Sequence, residues 1–345
     1  MVWNATFSDF ETPHFDNTFM SDLLSDGVKQ IYELVNYLVF CNIFSVFGIF
    51  SNIINILVFC RQGLNSTVNI SFTGVAVSDL CSLVTLLWFN VCVNPLFVNS
   101  DVPMAPSEVQ HLTGGFPHAC FARITCWITV YITAERCLCI VSPLKIKQII
   151  TTKRATSIIV GIYIIMIASL LPEYTTMYIG WRQYSEKNRS IIGLIRTKEN
   201  DKVSGLTFLL YAIYILVSFF AVIFFTTILV VKLKQKTKWR EESTFDDKQS
   251  NTISNRDKKT IRMVIMIAAV LIVCYLPSVL LSAAGFIVPG FFVVGQYSNV
   301  FFVTWSFAFV LDSINSSVNI ILYYTMSSKY RQTLHEMMAS KNSNT

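Results

Sequence analysis

The sequence predicts an all-α membrane protein, a seven-transmembrane helix bundle with a short amphipathic cytoplasmic helix after span seven. Three observations predict it. Hydrophobic residues make up 53% of the 345 and charged ones only 14%, with a mean hydropathy of +0.53, whereas a water-soluble chain carries about 25% charged residues. Seven windows reach the roughly 20 mostly apolar residues needed to cross about 30 Å of hydrocarbon: 36–60, 68–92, 117–141, 155–177, 203–232, 259–287 and 298–324. The 27 Phe, the 14 Tyr, only 13 Gly and nine Cys scattered through apolar stretches exclude a disordered chain, a collagen-like repeat and a disulfide-stapled scaffold.

Residues 1–35 read as an extracellular tail. They are polar, with six acids (Asp9, Glu11, Asp16, Asp22, Asp26, Glu33) against Lys29, so nothing there resembles a cleaved signal peptide and span one is the anchor. The segments after spans one, three, five and seven hold 19 Lys and Arg, while the tail and the other connections hold 7. The positive-inside rule therefore puts the N-terminus outside, in a multi-pass protein of the plasma membrane. Two sequons in outside segments, at Asn4 and Asn188, read as glycosylation acceptors. The inner face, 19 bases against 7 acids, suits contact with anionic membrane lipid or with an acidic partner. Nucleic acid is not an expected partner.

Within residues 36–326, the predicted seven-transmembrane domain, each ionisable side chain calls for an explanation, because one at mid-helix costs about 2.5–3.5 kcal/mol on insertion scales. Span one offers Asn52. In span two Asp79 lies near mid-depth, about 16 Å along the helix. Span seven carries Asp312, Asn315, Ser316, Asn319 and Tyr323 at spacings that share one face. These faces are expected to meet around Asp79, either as a structural hydrogen-bonded cluster or as a cation site, since a carboxylate among oxygens suits a hard ion. Span three, counted from Pro117 as its first residue, carries Glu135-Arg136-Cys137 at the inner mouth. Arg136 either snorkels to lipid phosphate or pairs with Asp257 at the inner end of span six. Pro277 kinks span six, as a passive bend or as a pivot with an arm of about 30 Å to Asp257.

Taken in order, these residues resemble the rhodopsin-like (class A) G-protein-coupled receptors. The matches are Gly48-x-x-x-Asn52, Asn69 ten residues before Asp79, Glu135-Arg136-Cys137 with Pro143 seven residues on, Cys274-Tyr275-Leu276-Pro277, and Asn315-Ser316-x-x-Asn319-x-x-x-Tyr323. They cover about residues 36–340. The run around Phe121–Ile140, with Ser327-Ser-Lys-Tyr-Arg-Gln, further resembles orphan peptide-receptor-like and chemosensory receptors of molluscs and related invertebrates. The resemblance implies an extracellular ligand, peptide or small molecule, and a heterotrimeric G protein, with arrestin as a further partner. It implies an activation switch of Glu135, Arg136, Asp257, Tyr275, Pro277, Asn319 and Tyr323, with outward movement of span six. It also implies a sodium pocket of Asp79, Thr125, Asn315, Ser316 and Asn319, and otherwise no cofactor.

The departures are specific. The position of the usual span-three disulfide cysteine is His111, and residues 173–204 hold no Cys, so no disulfide is expected and the outer loop is unstapled. Ile320 replaces the span-seven proline and Tyr275 the span-six tryptophan. His118 stands where amine receptors have an aspartate and Ser313 where opsins have their retinal lysine, which disfavours both readings. His118 and Asp312 are expected to face a central ligand pocket, hydrogen-bonded to each other or solvated, with Tyr275 and Trp305 as aromatic walls. Arg123 is expected to turn toward spans four and five, as an ion pair with Glu173 or as a contact for a ligand carboxylate. The loop 178–202 carries six bases against three acids, facing the acidic tail. Segment 327–345 supplies the amphipathic helix, with apolar residues at 330, 334, 337 and 338, and a short cytoplasmic tail.

A channel or transporter is the competing function. It calls for a continuous polar lining or inverted repeats, and neither is visible. An enzyme is not expected, because no His-Glu-x-x-His or nucleophile arrangement appears.

Overall fold

In a computed structural model of the chain, residues 24–142, 149–184, 189–242, 255–292 and 295–342 are described. Among them, seven helices are long and apolar enough to cross a membrane: Asp26–Gln62, Thr67–Val93, Pro106–Val141, Thr152–Thr176, Lys202–Gln235, Lys258–Ile287 and Ser298–Met326. These are spans one to seven. A terminal helix, Ser328–Asn342, follows span seven. Asn4 and Asn188, the two glycosylation candidates, lie outside the described residues, and so does the side chain of Asp257.

Three spans depart from the expectation, two at their starts and one by an internal break, each for a local reason. Span one starts at Asp26, ten residues inside the expected tail, because Ser25 caps it: its hydroxyl accepts from Val28 N at 3.4 Å. The helix then passes through a π-helical stretch, Leu34–Cys41. Span three starts at Pro106, so Pro117 is internal. A π-helical turn, His111–Gly115, precedes it, and Phe116 N reaches back five residues to His111 O. That wider turn lets the chain pass a proline, which has no N–H to donate. Span seven breaks at Val318 without a proline. The Ser317 hydroxyl lies 2.5 Å from Ser313 O and 2.8 Å from Phe44 O, and Ile321 N bonds Val318 O instead of continuing the α pattern.

The loop after span four contains a β-hairpin where only a loop was expected. Strand β1, Met177–Tyr184, pairs antiparallel with β2, Arg189–Arg196, in the register Met177↔Arg196 and Gly180↔Gly193. Met177, Ile191 and Leu194 turn inward.

Apolar side chains gain little from leaving lipid, so close approach of backbones and internal hydrogen bonds hold such a bundle together. At Gly48, span one passes so close to span two and span seven that an added Cβ would run into Leu83 and Ser317. Asn36 in the π-helical stretch donates to Ser306 Oγ at 2.7 Å, and Asn52 donates to Ser316 O at 2.7 Å, tying span one to span seven at two levels. The terminal helix docks by Tyr330, which is buried and donates to Asn55 Oδ1 at 2.6 Å. Leu334 and Met337 lie half-buried beside it as the 3.6-residue pattern requires, while Met338 is exposed.

Candidate functional site

Polar side chains from spans two, three and seven converge on Asp79, which has no exposed surface. Thr125 donates to Asp79 Oδ1 at 2.8 Å and Asn319 to Asp79 Oδ2 at 2.9 Å. The Ser316 hydroxyl flanks the same carboxylate, and Ser78 Oγ lies 2.7 Å from Thr125 Oγ1. A buried carboxylate is tolerable only with such partners. Asn315 is also buried but makes no hydrogen bond to the carboxylate, since it sits about 100° around the helix from Ser316. The remaining set is one carboxylate with hydroxyl and amide oxygens, which suits a hard cation of low charge. Among the described residues no group of three or more His, Cys, Asp and Glu is present.

At the end of the bundle away from the hairpin, Arg136 Nη2 donates to Glu135 Oε1 at 2.7 Å and reaches Thr67 Oγ1 at 3.4 Å. The Glu135 side chain is 2% exposed and that of Arg136 11%, so this ion pair is largely shielded from water. Glu135 Oε2 is left without a partner. Tyr323 is buried among Phe59, Phe72 and Tyr330, ring centroids 5.0–5.7 Å away, and its hydroxyl has no partner. Pro277 lies inside the helix Asn255–Ile287.

Toward the hairpin end, spans three, five, six and seven surround a cavity of about 50 Å³ lined by His118, Arg123, Ser278, Trp305, Phe309 and Asp312, among others. Three expectations about this region need correcting. His118 and Asp312 both line the cavity but do not bond to each other. His118 Nδ1 instead turns to span two, 2.9 Å from Ser82 Oγ and 3.1 Å from Ser82 O. Tyr275 is not a wall. It lies one turn further in, buried, with its hydroxyl on Ala122 O at 3.2 Å, and Phe309 is the aromatic that takes its place beside Trp305. Arg123 does not pair with Glu173. Its Nη1 donates to Ala119 O at 3.0 Å and its guanidinium lies over the Tyr211 ring, 5.0 Å from the centroid. The longer span three explains this: Arg123 is about 25 Å from its start at Pro106, whereas Glu173 is within about 5 Å of the end of span four. Glu173 accepts from Ser204 Oγ at 3.0 Å.

The outer loop is stapled after all, without sulfur. None of the nine cysteines is in a disulfide, and Glu108 in the first turn of span three does the fastening. It pairs with Arg182 of β1 and accepts from Leu194 N of β2 at 3.0 Å. Backbone bonds from Ile192 N to Pro103 O (2.8 Å) and from Ala105 N to Ile192 O (2.7 Å) lie alongside. A Cβ at Gly193 would meet Arg182 Nε and Glu108 Oε2, so a larger residue there would have to displace this pair. Glu108 is a functional residue that sequence reasoning does not single out. Its signal was an acid opening span three opposite a loop rich in bases. Glu108→Ala is expected to speed amide exchange across Arg189–Arg196 about tenfold, the loss of one hydrogen bond to a charged group. Exchange at an unchanged rate would show that the backbone bonds alone hold the hairpin.

Comparison with known proteins agrees with this geometry. Residues 37–341 match the family described as serpentine type 7TM GPCR chemoreceptor Srw. The human N-arachidonyl glycine receptor is 23% identical over 88% of this chain and 85% of its own length. The mouse growth hormone secretagogue receptor type 1 is 24% identical over 98% of this chain and 92% of its own, and the rat protein 25% over the same shares.

Proposed function

This chain belongs to the Srw family of serpentine-type seven-transmembrane G-protein-coupled chemoreceptors, and from that premise we propose how it carries a signal. Receptor signalling through a G protein follows from the family, and the channel or transporter alternative has no support among the relatives. The hairpin end faces outside and the Arg136 end the cytosol, as the distribution of Lys and Arg requires. Ligand enters the cavity between His118, Arg123, Trp305 and Asp312. Its binding favours a state in which span six pivots at Pro277 and Arg136 leaves Glu135, opening a cleft for the heterotrimeric G protein. Asn319 and Tyr323 move with the break in span seven. The cleft also receives arrestin, and the basic inner rim and terminal helix rest on anionic lipid.

The observation that carries this reading is the Glu135–Arg136 pair, shielded in the bundle yet only five residues from the end of span three at Val141, with Glu135 Oε2 and the Tyr323 hydroxyl left unpartnered. Buried polar atoms without partners are costly, so a second arrangement that pairs them is accessible at low cost. Around Asp79, Thr125, Ser316 and Asn319 would hold a sodium ion, which when bound supplies a positive charge to the buried carboxylate and favours the closed arrangement. Expression with reporter heterotrimers tests the function: guanine-nucleotide exchange above that of untransfected membranes is expected. A chain that reaches the surface and stimulates none of the reporters contradicts it.

A further inference from the structure

Release of Arg136 leaves Glu135 to be accounted for. Its side chain is 2% exposed and its carboxylate is held through Oε1 by Arg136, while Oε2 has no partner. Once Arg136 departs, a shielded carboxylate loses its counter-charge and its hydrogen bond together. Such a group finds another donor, takes up a proton or pulls the guanidinium back. A donor without charge would settle the carboxylate and add no cation to compete with Arg136.

Tyr131 is placed to be that donor. Its hydroxyl is buried and makes no hydrogen bond, although a phenol O–H so enclosed ordinarily has an acceptor. It precedes Glu135 by four residues on span three, so the two side chains share a helix face. The usual lean of helical side chains toward the N-terminus carries the Glu135 carboxylate back toward Tyr131. The ionisable groups that act on the Tyr131 hydroxyl are Glu135, Arg136 and Cys139. All three lie on its C-terminal side, so its ring leans the other way, toward the inner mouth. An unsatisfied donor and an unsatisfied acceptor therefore occupy one helical turn without closing the bond. The nearby Thr67 hydroxyl meets the guanidinium of Arg136, not the carboxylate.

We propose that Tyr131 is a positioning residue that receives Glu135 when Arg136 leaves. Its phenol donates to Oε2 and holds the carboxylate back from the freed guanidinium. This rests on the reading that Arg136 is the switch, and it names what keeps the switch open.

A double-mutant cycle tests it, because the coupling exists in one state only. Arg136→Met imposes the released state without ligand or G protein, removing the guanidinium and keeping an apolar side chain of similar reach. In the full chain purified in detergent, Tyr131→Phe is expected to leave the melting temperature unchanged while Arg136 is present, and to lower it by about 3 °C in Arg136→Met. Adding Glu135→Leu, which removes the acceptor, should abolish that fall. In membranes with reporter heterotrimers, basal exchange per receptor at the surface should drop about fivefold in Tyr131→Phe and change by less than about twofold when Glu135→Leu is also present. If Arg136→Met does not fold, the exchange cycle decides by itself. A melting temperature that falls equally with and without Arg136 makes Tyr131 a packing residue and overturns the proposal. A melting temperature that falls in neither form, or exchange that Tyr131→Phe leaves unaltered, also overturns it and leaves the switch standing. Coupling in the melting cycle from a chain that stimulates no heterotrimer supports the Tyr131–Glu135 bond and removes the switch reading instead.

Discussion

Arg136→Ala is expected to reduce receptor-stimulated nucleotide exchange to background, while Glu135→Gln is expected to raise basal exchange several-fold. The two signs follow from one geometry. Arg136 Nη2 is held 2.7 Å from Glu135 Oε1, a charge-assisted bond of about 1.5–3 kcal/mol, and in the active state the same guanidinium must be free to face the G protein. Neutralising Glu135 weakens the hold and leaves the guanidinium in place. Removing Arg136 deletes the group that the cleft presents. It also strands Glu135, which is 2% exposed, and breaking a buried pair in this way can cost about 3–5 kcal/mol. The double variant Glu135→Gln/Arg136→Ala removes the stranded charge. It should restore surface expression lost in Arg136→Ala and still show no exchange. If it exchanges nucleotide, Arg136 is an edge residue and not a switch.

The second large effect belongs to Asp79. Asp79→Asn keeps the side chain's shape and one carbonyl acceptor for Thr125 or Asn319, so the bundle should fold, but the charge that would hold a cation is gone. Basal exchange in the unaltered chain is expected to fall as NaCl replaces KCl at constant ionic strength, and in Asp79→Asn that dependence should vanish. Holding ionic strength constant matters, because screening of exposed charges would otherwise change with the salt. A sodium response that survives in Asp79→Asn would reduce the cluster to a structural role. A response absent from both forms would do the same.

How much of this was legible in the sequence divides along a physical line. Asp79 and Asn319 were brought together correctly because polar groups in hydrocarbon have almost nowhere to go but each other, and a helix fixes their faces through its spacing alone, while Thr125 came only with the resemblance. The burial of Tyr330 follows the same spacing, whereas the hold of Glu135 on Arg136 came with the resemblance. What failed depended on where helices begin or on which rotamer a side chain adopts. Pro117 looked like a first residue because proline is tolerated there, and the π-helical turn before it hid eleven further residues of span three. That error alone misplaced Arg123 beside Glu173. His118 was placed on the right face, but its ring turned to Ser82, a choice between neighbours that spacing cannot make. The hairpin and its Glu108 fastening join residues about 80 positions apart, and local periodicity carries no information about such contacts. The break at Val318 arose from hydroxyls competing for backbone carbonyls where the resemblance had offered only a missing proline.

The central claim, that span six swings away from the Arg136 end, is tested most directly by the distance between spin labels at Arg61→Cys and Lys259→Cys, with the exposed Cys60 replaced by serine. The account predicts that the nucleotide-free complex with G protein lengthens this distance by about 10 Å, a swing of about 20° on the arm from Pro277. A distance that stays the same in a complex still exchanging nucleotide would contradict it.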